Sequence, residues 1–239
     1  MATKTGITRY YGASKKKKMA NMAIAILLLL GIFVVLVTIY GQNVGNFVVA
    51  VETRSQVNLA LSETIGFENP SSRLAARGVR DLTNTTYIAI PKDIGAHEGG
   101  SHNDDVHRRY FAYTFYIKNM SPTVLNYDMV MTLNHVTNRA DNALRIMVIK
   151  NNDERTIYAR DPEGHRHANS LIAERDEDYD AEPFLSAVTM FQQVQLNFER
   201  NQINKYTIVM WLEGWDYHCT DAILGSIIRL ELQFNGYVR

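Results

Sequence analysis

The chain has 239 residues, with 25 cations balanced by 25 acids. Six cations, Lys4, Arg9, Lys15, Lys16, Lys17 and Lys18, fall in the first 40 residues, which hold no acid, leaving 19 cations against 25 acids in the remainder. That mildly acidic remainder lacks the basic surface that nucleic acid requires, and a lone cysteine, Cys219, excludes an intramolecular disulfide.

Residues 19–40 form a run of 22 without a charge, nearly pure aliphatic from Ile24 to Val37. A helix of that size spans roughly 30 Å, about the hydrocarbon thickness of a bilayer. The four lysines at its N-terminal end place the N-terminus in the cytoplasm and the C-terminus outside. A cleaved signal peptide is the competing reading. Its apolar core is normally about 7–15 residues and ends at small residues, whereas this run continues into Thr38-Ile39-Tyr40-Gly41 with no A-x-A-like site. The expected organisation is a basic cytoplasmic arm (1–18), an uncleaved signal anchor (19–41) and an extracytoplasmic domain (42–239). Residues 19–40 would contact lipid, and the localisation is a plasma membrane crossed once.

Beyond Gly41 the pattern changes to short apolar stretches between polar turns. Phe47-Val-Val-Ala-Val51 reads as a strand, and Val57-Asn-Leu-Ala-Leu61 alternates. Residues 63–80 are polar and turn-rich, with helical character around 71–77. Tyr110-Phe-Ala-Tyr-Thr-Phe-Tyr-Ile117 is dense in aromatic and β-branched residues. After a turn at Pro122, residues 124–136 place Leu125, Tyr127, Met129, Met131 and Leu133 on one face. Leu144-Arg-Ile-Met-Val-Ile149 and Thr156-Ile-Tyr-Ala159 flank Asn151-Asn152-Asp153-Glu154 as a hairpin. Residues 184–195 suit a short helix or a strand. Tyr206-Thr-Ile-Val-Met-Trp-Leu212 and residues 227–234 close the domain. Many short strands predict a mainly β fold, an antiparallel sandwich with a jelly-roll or Ig-like path, preceded by the one transmembrane helix.

Three passages carry a family resemblance: Tyr110-Phe-Ala-Tyr-Thr-Phe-Tyr-Ile-Lys-Asn119; Ala143-Leu-Arg-Ile-Met-Val-Ile149 with Ile157-Tyr-Ala159; and Lys205-Tyr-Thr-Ile-Val-Met-Trp-Leu-Glu-Gly214 through Asp216, Cys219-Thr-Asp221 and Gly225. They resemble membrane-anchored surface proteins of Gram-positive bacteria, related in turn to the TasA/camelysin type of exported sandwich. The resemblance implies a jelly-roll-like domain exposed on the cell surface. Some relatives form matrix fibres, and camelysin has been described as a protease. Fibre proteins of that type are released from a cleaved signal, whereas this chain carries the pattern of a tether, without a sortase-type Leu-Pro-x-Thr-Gly signal.

Three clusters carry candidate chemistry. His97, His102 and His107, with Glu98, Asp104 and Asp105, supply imidazoles and carboxylates for Zn²⁺ or a similar ion. The spacing of His97 and His102 is five rather than the four that puts two histidines on one helical face, and Gly99-Gly100 disfavours a helix; a solvated loop is the alternative. Asp176, Asp178 and Asp180 offer alternating hard oxygens for Ca²⁺, but Ala181 and Ala187 stand where an EF-hand needs Gly and Glu. In residues 213–221, Cys219 beside His218 suggests a thiol nucleophile; the alternative is a turn with Asp216 and Asp221 bonding backbone amides and Cys219 buried. Trp215 and Tyr217 could present rings to a sugar.

The sequence holds no nucleophile elbow, phosphate loop or dinucleotide fingerprint. The function expected is therefore a cell-surface structural or adhesion module that self-associates, without catalysis or an obligatory cofactor. A module binding wall polysaccharide or another ligand is the alternative, and a metal-dependent hydrolase the third reading.

Overall fold

A computed structural model describes residues 18–32, 47–52, 57–162 and 180–238. The chain separates into two compact units, Met1–Val44 and Gly45–Arg239. In the first, residues 18–32 are helical and exposed throughout. No helix among the described residues is long and apolar enough to cross a membrane. Residues 33–41 of the expected anchor, and Lys15, Lys16 and Lys17, lie outside the described residues; Lys18 opens the helix.

The second unit is two stacked sheets. Sheet I contains β1 (Phe47–Glu52), β3 (Arg73–Ala76), β6 (Leu125–Val136), β10 (Thr189–Phe198) and β12 (Ile228–Tyr237), in the order β10-β6-β12-β1-β3. Sheet II runs β2 (Leu59–Ser62), β5 (Tyr110–Asn119), β11 (Ile203–Leu212), β7 (Leu144–Lys150), β8 (Glu154–Ala159) and β9 (Ala181–Pro183), with the two-residue β4 (Gly100–Ser101) also on β5. The fold is thus mainly β and a sandwich, as expected.

Burial explains why its strands look so different in sequence. Sheet I has one covered face, so β12 alternates buried and half-exposed or exposed positions along its length. Leu125, Tyr127, Met129, Met131 and Leu133 of β6 all face inward. Phe115 meets Phe234 edge-on, their ring centroids 5.9 Å apart, within the usual span of such pairs. Sheet II is covered on both faces. Its inner face joins the main core, while Ala112, Met147, Ile149, Val209 and Trp211 on the outer face pack under Ile90 and Ile94. Both-sided burial is what makes β5, β7 and β11 nearly continuous apolar runs.

The covering segment, 83–109, is held by backbone bonds from Thr85 N–H to Leu212 O (2.9 Å) and from Gly214 N–H to Thr85 O (2.7 Å). Lys205 adds bonds from its Nζ to Gly95 O and Asn152 Oδ1, both 2.9 Å. The β7–β8 hairpin turns where expected, with Asn151 and Asn152 at positive φ of 49° and 76°.

Two expectations are corrected. The sheets are mixed, not antiparallel throughout: β1 runs parallel to β12, and β8 parallel to β9. Neither pair is joined by a tight hairpin, so no turn forces opposite directions; residues 160–180 are long enough for a parallel crossover. Residues 71–77 are not helical. Arg73–Ala76 pairs antiparallel with Phe47–Ala50, because so short a segment cannot nucleate a helix and ladder bonds override its propensity. The ambiguous stretch 184–195 resolves into a turn followed by β10.

Candidate functional site

Every sheet has edges, and an exposed edge carries a row of unpaired backbone groups that can accept another chain. Three of the edges here are blunted. β3 is four residues long and opens with Arg73. β2 is also four residues, and Leu61 exchanges backbone bonds with Ser71 at 2.8 and 2.9 Å. β9 is three residues, of which one is Glu182 and another Pro183, which has no N–H to offer.

The fourth edge, β10, differs. It has ten residues, Thr-Met-Phe-Gln-Gln-Val-Gln-Leu-Asn-Phe, with no charge, no glycine and no proline. Among the described residues it pairs only with β6. The turn at 184–188 covers its start, since Leu185 N–H donates to Met190 O and Ser186 N–H to Thr189 O. Arg160 anchors that turn, donating to Ser186 O and Ala187 O, pairing with Asp141 and lying over the Phe184 ring. At the other end a register shift between Gln195 and Phe198, with Asn197 at φ 55°, terminates the regular ladder. The stretch left between these ends is 191–196, Phe-Gln-Gln-Val-Gln-Leu, with the Leu196 carbonyl accepting from Gln195 Nε2 at 2.7 Å.

Beneath it lies a groove of about 300 Å³, lined by Tyr127, Lys150, Glu154, Gln193, Gln195 and Tyr206 among others. Phe191 stacks on Tyr158 at 4.5 Å, and Gln193 Nε2 donates to Tyr158 Oη at 2.7 Å, which ties β10 to β8 at the groove. The floor is a cross-sheet tyrosine pair. The Tyr127 and Tyr206 hydroxyls lie 2.7 Å apart, and Asn204 Nδ2 donates to Tyr127 Oη at 2.8 Å. Burial pushes the Tyr127 phenol up to about 12 and the Tyr206 phenol higher still, so both stay protonated at neutral pH. With Lys150 bonded to Glu154 at 3.2 Å, the groove's ionic groups balance each other and its remaining polar groups are neutral.

A second polar cluster sits where the chain leaves β11. Arg145 Nη2 donates to Asp216 Oδ2 at 2.8 Å, with both side chains fully buried. Asp216 Oδ1 accepts from the His218 N–H at 2.8 Å and lies 3.0 Å from His218 Nδ1. Glu213, also buried, accepts from Trp211 Nε1 at 3.0 Å and from Trp215 N–H at 3.3 Å. Residues after Leu212 form the expected turn, with Asp216 bonding a backbone amide; Asp221 is exposed and opens a 3₁₀ turn. Cys219 is half-buried, and burial raises its thiol pKa, the opposite of an activated nucleophile.

Burial also raises the Glu213 carboxyl above 4.5, outweighing the lowering by its bonds to Trp211 and Trp215 and by Arg145. Such a carboxyl binds its proton more readily folded than unfolded, so its contribution to stability falls as pH rises above about 4.5. Glu213→Gln is expected to flatten this part of the profile. Urea midpoints measured from about pH 4 to about pH 7 check it, and an unaltered slope would assign the dependence to other groups.

The remaining expected site residues are dispersed. The His97 and His102 rings stack at 4.7 Å, and the His102 ring bonds the Glu98 carbonyl. The His107 N–H is capped by Asp104 Oδ1 at 3.0 Å. Gly100, at φ 102° and opening β4, rules out a helix there, and Gly99 lies so close to the Glu63 carbonyl that a Cβ would fall 1.6 Å from its oxygen. No group of three or more His, Cys, Asp or Glu that could hold a metal occurs among the described residues. Asp176 and Asp178 lie outside those residues, and Asp180 is exposed. Trp215 is half-buried, while Tyr217 is exposed, its ring 3.8 Å from that of His218 and its hydroxyl 3.4 Å from Asp161 Oδ2.

Neither β10's edge nor the groove was among the expected sites. The available signal was the uncharged, alternating stretch 189–198, but its edge position depends on strand order. No family model, no curated protein and no solved structure matches this chain.

Proposed function

We propose that this protein is a membrane-tethered cell-surface module that joins other chains by strand addition at β10. The carrying observation is the contrast among edges: three are short, charged, proline-bearing or already bridged, and the fourth offers 191–196 without a charge. Six-residue segments that are β-prone, uncharged and free of proline and glycine are those most ready to pair with another strand. The tether is supported by the uncharged run at 19–40 behind four lysines, and by described helical residues whose apolar side chains are exposed all round. We read the strand path as a jelly roll, β10-β6-β12-β1 over β8-β7-β11-β5, with β1 reversed. This reading agrees with the resemblance to Gram-positive surface sandwiches.

Residues 45–239 contain both sheets and both cores found among the described residues, so this unit carries what it needs to fold alone. Sedimentation over a wide concentration range is expected to show association, and Val194→Lys is expected to weaken it at least about tenfold, since lysine is a natural edge blocker. Val194 is exposed, so the substitution should leave stability within about 0.5 kcal/mol. A monomer at every concentration, or assembly indifferent to Val194→Lys, would overturn the reading.

Binding of wall polysaccharide is a second reading, favoured by the groove, whose neutral hydroxyls and amides match a sugar's hydroxyls. A monomeric unit retained on purified cell wall would select it.

A further inference from the structure

We infer that the strand accepted by β10 is β10 of a second copy, in antiparallel register about Val194, and that this pairing closes as a two-fold dimer instead of extending into a fibre. The inference rests on the strand-addition reading and specifies its partner, geometry and end point.

The end point follows from the edges. A filament built by strand addition needs two different edges on each subunit, one to offer and one to receive. Here β2, β3, β4 and β9 are two to four residues long, β2 is bridged by Ser71, β3 opens with Arg73 and β9 ends in Pro183, leaving one edge of useful length among the described residues. An edge that pairs with itself through a two-fold axis is used up by the contact.

The partner follows from charge. Identical strands laid antiparallel bring each residue close to others of its own segment, and like charges directly opposite are destabilising. The segment 191–196 has no charge, so self-pairing meets no such repulsion. A common membrane tether would also raise the effective concentration of copies.

The register follows from the pleat. Gln193, Val194 and Gln195 all border the groove; Gln193 and Gln195 are half-buried, while Gln192, Val194 and Leu196 alternate with them as the exposed positions of the strand. Directly opposed residues of an antiparallel pair point to the same face, so the numbers of opposed residues must sum to an even value. Pairing about Val194 sets Val194 opposite Val194 and Gln192 opposite Leu196 at the exposed positions, with Gln193 opposite Gln195 at the half-buried ones. It covers both exposed apolar side chains of the segment and stays clear of Met190, whose carbonyl the preceding turn occupies. Centring on Gln193 would instead carry Leu196 against that occupied position. The grooves of the two copies would then open on the same face of one continuous sheet, to either side of the two-fold axis.

The test is oxidative cross-linking of the full chain in mild detergent, with Cys219→Ser as background, beside sedimentation. Val194→Cys is expected to link to itself, because opposed Cβ atoms lie about 4.5–5.5 Å apart, close to what a disulfide spans. Gln192→Cys alone should not link, its copies being about 13 Å apart along the strands. Mixing it with Leu196→Cys chains should restore the link. Association that stops at two copies, with this cross-linking pattern, is the expected result. Assemblies larger than a dimer that Val194→Lys abolishes would overturn two-fold closure while leaving strand addition at β10 standing. A dimer that Val194→Lys leaves intact and that gives no Val194→Cys link, or a monomer throughout, would overturn both.

Discussion

Arg145→Ala is expected to destabilise the folded domain by about 3–5 kcal/mol, the cost of leaving a buried charge without its partner. Arg145 and Asp216 are both fully buried, 2.8 Å apart, on the covered outer face of sheet II. Water cannot compensate Asp216 once the guanidinium is gone, and a methyl group in place of the long side chain also leaves a void. Denaturant unfolding of residues 45–239 measures the loss. The pair's own worth is a separate quantity. Combining Arg145→Met with Asp216→Leu is expected to recover much of the loss, because two apolar groups demand no solvation. Recovery will be incomplete, since Asp216 also caps the His218 amide. A cost below about 1 kcal/mol for Arg145→Ala would mean that water reaches the pair.

Trp211→Ala is expected to cost a similar amount, about 3–5 kcal/mol, for a different reason. Trp211 is the largest fully buried side chain in the domain and fills the core between sheet II and the segment 83–109, tilted against Tyr87 at 6.3 Å. Its truncation opens a cavity and takes from buried Glu213 the indole N–H it accepts. Trp211→Phe separates the two effects, as it retains most of the packing and loses the donor; an intermediate loss of about 1–3 kcal/mol is expected. Equal losses for the two variants would assign the whole effect to the hydrogen bond. Trp211 and Arg145 are cross-strand neighbours, so the combined variant should depart from additivity.

Sheet II's two-sided burial has a consequence for function. The cluster at residues 213–219 combines carboxylates, an imidazole and a thiol, yet its charges are spent on each other and on the turn that follows β11. The β10 edge, by contrast, holds no ionisable group and leaves backbone capacity open. On the proposed strand-addition reading, the polar cluster fixes the fold and the plain strand would make the contact.

How legible this was in the sequence differs from element to element. The alternation at 124–136 identified β6 and its inward face, because the two-residue period of a strand is a local property that neighbours need not supply. The aromatic run at 110–117 identified β5, although only the structure explains its lack of alternation, through a second core built by residues 83–109. Asn151 and Asn152 announced the β7–β8 turn, being residues that tolerate positive φ. The histidines at 97–107 drew attention through composition, but composition does not fix geometry, and the backbone around Gly99 separates them into a stacked pair and a capped turn.

What the sequence by itself determined was therefore the main strands other than β10, the mainly β class and the long uncharged run at 19–40, all of which rest on local periodicity or local composition. The tertiary structure decided the direction of β1 and β9, the strand character of Arg73–Ala76, the buried pairing of Arg145 with Asp216, and the exposure of β10 at an edge. Each of these is a relation between residues far apart in the chain. Strand order fixes which backbone groups remain unpaired, and no local pattern records it.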